Sequence, residues 1–214
     1  MSPPALQIAT TPKPPAGAAS HRLARIIDAA AEVFAARGYH GASTQDIADR
    51  LGIRQASLYY YFASKEAALK LVCERGAEAF AGTAREIAAS AMAPREKLAA
   101  LMASHSAPLR DQGAYVRVFL RERQYLPAAQ RRQINRHARE VERSFEDAIR
   151  EGQPRGEFSA DINPRLATLA ILGMLNAAPF WRETQTSGIE EISQTMIAIA
   201  LEGVCGKPPT QRRR

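Results

Sequence analysis

The sequence predicts an all-α protein of about nine helices, in which an N-terminal three-helix domain precedes a larger helical domain. Apolar residues recur at intervals of three and four from position 20 onward, with no alternating strand pattern and no internal repeat. Glycines, prolines and capping residues separate the periodic segments where helices should begin and end. The chain has 214 residues, 46% hydrophobic and 24% charged, so it can bury one large core or two small ones.

The first two helices are predicted to follow an unstructured leader. Residues 1–20 are rich in Pro, Ala and Thr and lack periodicity, which indicates a disordered arm whose contact with any partner stays open. An amphipathic first helix follows and stops at Gly38. Ser43 and Asp46 have the spacing of a capping box at the start of a short second helix, and Gly52 ends that helix.

The remaining segments also have helical periodicity. A third short helix is predicted over 55–61, and Ser64 caps a long fourth helix. Pro94 suits the first position of the fifth helix. Further helices are predicted over 94–106, 114–125, 128–152, 163–182 and 189–204. Pro179 should kink the eighth helix or end it near Ala178, because proline lacks the N–H that a helix interior needs.

Residues 44–63 have the composition that a helix-turn-helix requires. Two short helices crossing at a steep angle need a small residue where they touch and a turn residue that tolerates a positive φ. Ala48 and Gly52 occupy these two positions. The predicted buried side consists of Ile47, Leu51, Ile53 and Leu58, with Tyr61 or Phe62 closing its far end.

The outward side of the third predicted helix suits a DNA duplex. The N-terminal residues of such a helix face base edges in the major groove. Arg54 pairs well with guanine and Gln55 with adenine, while Ala56 and Ser57 permit close approach. Hydroxyl and ammonium groups that could contact phosphates belong to Ser43, Thr44, Tyr59, Tyr60, Tyr61 and Lys65. The alternative roles are capping for Ser43 and Thr44, core packing for Tyr61, and a solvated charge for Lys65.

The segment "GYHGASTQDIADRLGIRQASLYYYFASKEAAL" resembles the DNA-binding region of the TetR/AcrR family of bacterial regulators. The shared positions are Phe34, Gly38, Thr44, Ile47, Ala48, Gly52, Leu58, Tyr59, Phe62, Lys65 and Leu69. Many members have His in place of Tyr61 and Gly in place of Ala56. The resemblance implies a homodimer that binds palindromic double-stranded DNA. It also divides the chain into four regions: an arm at 1–20, a DNA-binding domain at 21–66, a ligand-binding and dimerisation domain at 67–206, and a basic tail at 207–214.

The last two predicted helices fit the pairing that this family uses between subunits. The stretches "LATLAILGML" and "EISQTMIAIALEGV" are apolar and contain small residues that let helices approach closely. The alternative is that both helices are simply the core of a monomer.

The C-terminal half resembles a branch of the family that senses acyl-CoA thioesters in lipid catabolism, through "VFLRERQYL", "IREGQPRGEF" and "ILGMLN". Such a ligand needs an apolar cavity for its acyl chain and cations for its phosphates. The candidate ligand-binding residues are Met102, Phe119, Arg121, Phe145, Met174, Asn176 and Trp181, and the arginine-rich 110–143 region could bind the phosphates. Each could equally be ordinary core or a solvated charge. The sequence "AAPF" after Asn176 departs from the branch.

The implied mechanism is repression that a small hydrophobic or acyl-CoA-type effector relieves. An effector in the larger domain would swing the fourth helix and change the separation of the two DNA-reading helices. The effector must bind the two conformations with different affinities for this to work. Activation in place of repression remains open.

Other classes of protein fit the sequence less well. A net charge of +7 and a pI of about 9.8 favour a polyanionic partner. The histidines lack partners at catalytic spacing, Cys73 and Cys205 suggest inert thiols, and neither a cofactor nor a metal is expected. No apolar run could span a membrane, so a cytoplasmic location is expected. The alternatives are a helical scaffold protein without DNA binding and a helical-bundle enzyme.

Overall fold

The computed structural model describes residues 16–181 and 187–205, and every regular element in these two ranges is a helix. The helices are α1 (Ala16–Gly41), α2 (Thr44–Leu51), α3 (Gln55–Leu58), α4 (Lys65–Ala88), α5 (Pro94–Ser106), α6 (Pro108–Asp111), α7 (Gly113–Arg121), a 3₁₀ turn (Arg123–Tyr125), α8 (Ala128–Gly152), α9 (Pro164–Trp181) and α10 (Ile189–Cys205). The all-α prediction is therefore confirmed. The first part of the predicted arm and the basic tail lie outside the described residues.

Several boundaries differ from the predicted ones. Helix α1 begins at Ala16, inside the segment predicted as an arm. Helix α3 ends at Leu58 because the Leu58 carbonyl accepts hydrogen bonds from the N–H groups of both Tyr61 and Phe62, which closes a turn. The predicted 114–125 helix divides into α7 and the 3₁₀ turn, and α6 was not predicted.

Helix α9 spans Pro164–Trp181, which agrees with the predicted 163–182 segment. It continues through Pro179, so the alternative that the proline ends it near Ala178 is wrong, and the other alternative, a kink, stays a prediction. A proline costs a helix one N–H donor and crowds the preceding turn. Here Pro179 is buried in the core. Core packing therefore outweighs the backbone cost.

Helices α1 to α3 form a small domain around a common apolar core. Gly38, with φ of 68° and ψ of 167°, breaks the regular helix of α1. Ser43 and Asp46 form the predicted capping box at the start of α2, and Gly52 ends that helix in the left-handed conformation. Ala48 is completely buried where the helices meet. These features match the helix-turn-helix that the sequence predicts.

Helix α4 connects this domain to the rest of the chain. Ser64 caps it, as predicted, by accepting a hydrogen bond from the Ala67 N–H. Its first half, with Leu69 and Val72, belongs to the core around α1 to α3, which also includes Val118 of α7 and Ile134 of α8. Its second half, with Ala81 and Ala84, belongs to the core that α5, α8, α9 and α10 build. A displacement of α4 would therefore be felt in both cores.

Apolar side chains remain exposed on the outer faces of α9 and α10. The exposed fraction is 65% for Leu166, 45% for Leu169 and 60% for Ile199. Ala170 and Gly173 are also exposed and continue the Leu166 face at helical spacing. Within the described ranges, no helix combines the length and the apolarity that crossing a membrane would require.

Candidate nucleic-acid interface and ligand cavity

The segment around α3 presents aromatic and polar side chains to solvent. Tyr59 is 51% exposed and Tyr60 is 73% exposed, whereas Leu58 and Phe62 are buried, as the sequence predicts. Tyr61 is half-buried against the domain core and lies edge-on to Tyr60, with ring centroids 5.0 Å apart. Two phenol groups are therefore free to reach a duplex, and the third is anchored in the protein.

Gln55, the predicted adenine reader, already has a hydrogen bond inside the domain. Its amide nitrogen donates to the Thr44 hydroxyl at 2.6 Å, which links α3 to the first residue of α2. Arg54 and Ala56 are exposed beside it, and Ser57 is half-buried. The second amide proton and the Oε1 acceptor of Gln55 are not used by this bond, so the bond positions the amide and leaves a bidentate base contact available.

Lys65 is held by the protein at the start of α4. Its ammonium donates to the Ala42 carbonyl at 2.9 Å and lies 4.5 Å from the centroid of the Tyr39 ring. An ammonium has three protons, so donors remain for a phosphate. The side chain is not the freely solvated charge that the alternative interpretation supposed.

Ser43 is engaged in the capping box. Its hydroxyl donates to the Asp46 carboxylate at 2.7 Å and accepts from the Asp46 N–H at 3.1 Å. These bonds from Ser43, with a smaller contribution from Arg37, lower the pKa of Asp46. Ser43 therefore orders the start of α2 before any DNA contact.

The end of α7 joins the two domains at the break in α1. After Gly38 the Tyr39 N–H has left the helical ladder, and the Glu122 carboxylate accepts its hydrogen bond at 2.8 Å. The ring of Tyr125 stacks on that of Tyr39 at 5.6 Å and lies edge-on to His40 at 4.5 Å. A charged acceptor and an aromatic cluster thus hold the helix-turn-helix domain against the larger domain.

An apolar cavity of about 270 Å³ lies between α4, α5, α7, α8 and α9. Phe119, Val116 and Leu172 form part of its wall. His105 and Asn176 bring polar groups into it, with His105 Nε2 and Asn176 Oδ1 3.1 Å apart. Burial lowers the pKa of His105, although the hydrogen bond to Asn176 opposes that shift. The imidazole is therefore neutral near pH 7.

An arginine-rich cleft of about 430 Å³ adjoins the cavity and shares Arg123 and Glu142 with it. Arg139, Arg143 and Arg165 also line this cleft. Glu142 accepts from Arg165 at 2.7 Å, whereas Arg139 and Arg143 have no ion pair within the described ranges. The guanidinium of Arg123 lies 4.3 Å from the centroid of the Phe119 ring, and burial lowers its pKa. Cationic side chains therefore stand beside an apolar space.

Two family models cover most of the chain. Residues 26–72 match the model of bacterial regulatory proteins of the tetR family, and residues 91–204 match the tetracyclin repressor-like C-terminal domain. The chain belongs to the TetR family. It is therefore a DNA-binding transcriptional regulator and not an enzyme, which confirms the predicted class.

Relatives within the TetR family match over nearly the whole chain. The transcriptional repressor KstR2 of Rhodococcus jostii is 28% identical over 190 residues, which cover 86% of this chain and 92% of that protein. The fatty acid metabolism regulator of Bacillus subtilis is 25% identical over 86% of this chain and 95% of its own. The structure of the ketosteroid regulator KstR2 of Mycobacterium tuberculosis superposes with a TM-score of 0.79 at 26% identity, covering 87% of this chain and 96% of that one.

The predicted ligand residues of this TetR-family chain divide between the cavity and its surroundings. Phe119 and Asn176 line the apolar cavity, and Phe145 lines a smaller neighbouring cavity of about 190 Å³. Met102 is fully buried and Met174 half-buried in the surrounding core.

The other two predicted ligand residues lie elsewhere. Arg121 lies over the Phe180 ring, 4.5 Å from its centroid. Trp181 is 45% exposed and is not among the residues that line either cavity, so the structure does not support its predicted place. It is the last residue of α9, where the helix has already passed the cavity.

Three residues that line both cavities, Phe80, His105 and Val141, were not predicted. The Phe80 and His105 rings lie between the two spaces, 5.1 Å apart. His105 meets Asn176 from 71 positions away, so no local spacing in the sequence signals the pair.

Proposed function

We propose that this TetR-family chain is a repressor that binds a palindromic operator as a homodimer and is released by a short-chain acyl-CoA thioester. The observation that carries this proposal is the apolar cavity beside the arginine-rich cleft. An acyl-CoA has a hydrocarbon chain and several phosphates, which suit an apolar space and guanidinium groups respectively. The names of the relatives, a ketosteroid regulator and a fatty acid metabolism regulator, favour a lipid-derived effector.

The volume of the cavity favours a short acyl chain. About 270 Å³ is slightly below the range of roughly 300–1,000 Å³ that is typical of small-molecule sites. A long-chain acyl group would need the neighbouring 190 Å³ cavity as well, past Phe80 and His105.

The DNA contacts belong to the exposed surface around α3. Arg54, Gln55, Ala56 and Ser57 would read bases, and Tyr59, Tyr60 and Tyr61 would bind phosphates together with Ser43, Thr44 and Lys65. The exposure of Tyr59 and Tyr60 supports this assignment, because large aromatic side chains are seldom left in water without a partner.

The two sites would communicate through α4 and through the end of α7. Phe119 and Arg123 line the cavity. Glu122, which lies between them in the chain, accepts a hydrogen bond from the Tyr39 N–H of the helix-turn-helix domain, and the Tyr125 ring stacks on the Tyr39 ring. An effector that moves the cavity wall would therefore shift the orientation of the DNA-binding domain. Repression is relieved to the extent that the effector prefers the conformation that does not fit the operator. We infer a cytoplasmic location, because operator DNA and acyl-CoA are both found in that compartment.

The test measures operator affinity by fluorescence anisotropy, with a DNA fragment from the promoter region of the gene that encodes the protein. Hexanoyl-CoA should weaken operator binding at least tenfold, and coenzyme A without the acyl chain should not. If saturating hexanoyl-CoA binds the protein but leaves the operator affinity unchanged, the release mechanism is wrong. Replacing both Arg139 and Arg143 with Gln should weaken the binding of hexanoyl-CoA, while operator affinity without effector stays the same.

A further inference from the structure

The cavity contains a polar pair, His105 and Asn176, and three contacts fix the orientation of the His105 ring. His105, from α5, lies between two aromatic rings, with centroid distances of 5.1 Å to Phe80 and 6.3 Å to Phe145. Its Nε2 atom is 3.1 Å from Oδ1 of Asn176, which comes from α9. Aromatic contacts and a hydrogen bond thus hold the imidazole in one orientation.

The surroundings of the ring also determine where its proton lies. Burial keeps the pKa of His105 below its ordinary value, so the ring is neutral and carries a single N–H. Its Nδ1 atom is buried without a hydrogen-bond partner in the described part of the chain. Buried N–H groups without partners are rarer than buried acceptors without partners. The proton therefore sits on Nε2 and is donated to the Asn176 carbonyl oxygen.

This bond orients the Asn176 amide. Because the amide oxygen faces His105, the NH₂ group faces away from it, and that group has no hydrogen-bond partner among residues 16–181 and 187–205. Asn176 is half-buried and lines a cavity whose nearby walls include Val116 and Leu172. The Asn176 amide nitrogen is not among the buried atoms that lack a partner, so it reaches the open space of the cavity, where a ligand can accept its hydrogen bond.

We propose that Asn176, oriented by His105, donates a hydrogen bond to the carbonyl oxygen of the effector's acyl group. This inference rests on the proposed acyl-thioester effector and assigns the contact that distinguishes the thioester from other CoA derivatives. In a saturated acyl chain the carbonyl oxygen is the acceptor that an amide N–H can bind. Asn176 is thus a specificity-determining residue, and His105 is the residue that positions it.

The test compares hexanoyl-CoA with S-hexyl-CoA, a thioether that differs by replacement of the carbonyl with a methylene. Isothermal titration calorimetry on the full chain should show that the wild-type protein binds the thioester roughly 10- to 100-fold more tightly. Asn176→Leu, which keeps the volume and removes the donors, should bring the affinity ratio near one. His105→Phe keeps a ring between Phe80 and Phe145 but frees the amide, and it should lower the ratio partially.

Val116→Ala is the matched control, because Val116 lines the same cavity without a polar group. It should weaken both compounds equally and leave their ratio unchanged, and this separates a carbonyl contact from a general loss of packing. An unchanged ratio in Asn176→Leu, or a wild-type ratio near one, would overturn the inference while leaving the proposed release by acyl-CoA intact. If neither compound binds the wild-type protein, the acyl-thioester effector and the carbonyl contact are both wrong.

Discussion

The Gln55 amide has two roles, one in the fold and one assigned to the DNA, and the second sets the first prediction. In the free protein the amide nitrogen donates one proton to Thr44 at 2.6 Å. On the operator its second proton and its oxygen would make a bidentate contact with adenine. Gln55→Ala should therefore weaken operator binding by about 1–3 kcal/mol and relax the preference at one base pair.

The measurement for Gln55 is anisotropy with the operator and with random duplex of the same length. Tyr60→Phe is the comparison, because it removes only an exposed hydroxyl that is assigned to a phosphate and should weaken both duplexes equally. Equal losses on the two duplexes for Gln55→Ala would refute its role as a base reader.

Lys65 illustrates how a single side chain can serve both the fold and the DNA. Its ammonium bonds the Ala42 carbonyl, next to the cap of α2, and retains protons for a phosphate. Lys65→Met keeps the aliphatic stem and removes the charge. It should reduce the slope of log affinity against log salt by about one and lower affinity for all sequences. A salt slope identical to that of the wild type would show that Lys65 is structural alone.

Some side-chain environments can be predicted from the sequence, and others cannot. The burial of Leu58 and the exposure of Tyr60 follow from local periodicity, which a sequence displays directly. The bond between Gln55 and Thr44 crosses a turn, and the pair of His105 and Asn176 spans 71 positions. Contacts of this kind depend on helix packing, which the sequence pattern does not specify.

Among the elements, the contact between α7 and α1 should contribute measurably to stability. Glu122→Ala removes the acceptor of the Tyr39 N–H, which has no helical partner after the break at Gly38. We expect a loss of about 1–3 kcal/mol in the free energy of unfolding, measured by urea denaturation. Hydrogen exchange at the Tyr39 amide should accelerate as well.

Glu157→Ala is the control for Glu122, because Glu157 also accepts a hydrogen bond from a backbone N–H, that of Arg95 at 2.9 Å, but within the larger domain. It should leave the exchange at Tyr39 unchanged. Glu122→Gln keeps an acceptor oxygen and should retain most of the stability. If Glu122→Ala is as stable as the wild type and exchanges at the same rate, the contact does not hold the domains together.

Helix α8 ends at Gly152, where Phe158 and Pro94 leave no room for a side chain. A Cβ atom on Gly152 would lie 2.4 Å from the Phe158 ring and 3.1 Å from Cβ of Pro94. Gly152→Ala should therefore destabilise the protein by about 1–3 kcal/mol through overpacking. Gly82→Ala, in α4, meets nothing within 4 Å and should be neutral or stabilising by up to about 1 kcal/mol. The two variants are compared by thermal unfolding at equal protein concentration. Equal stability of Gly152→Ala and Gly82→Ala would contradict overpacking at Gly152.

The ends of the helices differ in how well the sequence predicts them. The caps Ser43 and Ser64 predict the starts of α2 and α4 correctly, and Pro94 at the first helical position predicts that of α5, because these signals act on their own neighbours along the chain. Pro179 does not end α9 near Ala178, because the burial of this proline is a tertiary effect that no local pattern displays. The same distinction separates the DNA-binding surface, which is local in sequence, from the cavity, which five helices assemble.

For the whole molecule, the exposed apolar face of α9 and α10 should be the dimer interface. Leu166 is 65% exposed in the single chain and, with Leu169 and Ile199, would be buried against a second copy. Leu166→Glu would place a carboxylate in that interface, which costs several kcal/mol unless it is paired. The dimer dissociation constant, measured by analytical ultracentrifugation, should therefore rise by about 100-fold or more.

Loss of the dimer should also weaken operator binding, because two recognition helices must lie about 34–36 Å apart to contact both half-sites. Leu166→Glu should lose its preference for a palindrome over a single half-site, since the gain from two linked contacts disappears. Met92→Glu is the control, because Met92 is also an exposed apolar residue, 44% accessible, but lies in the turn before α5. It should leave assembly and operator affinity unchanged. A Leu166→Glu protein that remains dimeric at nanomolar concentration would exclude this face as the interface.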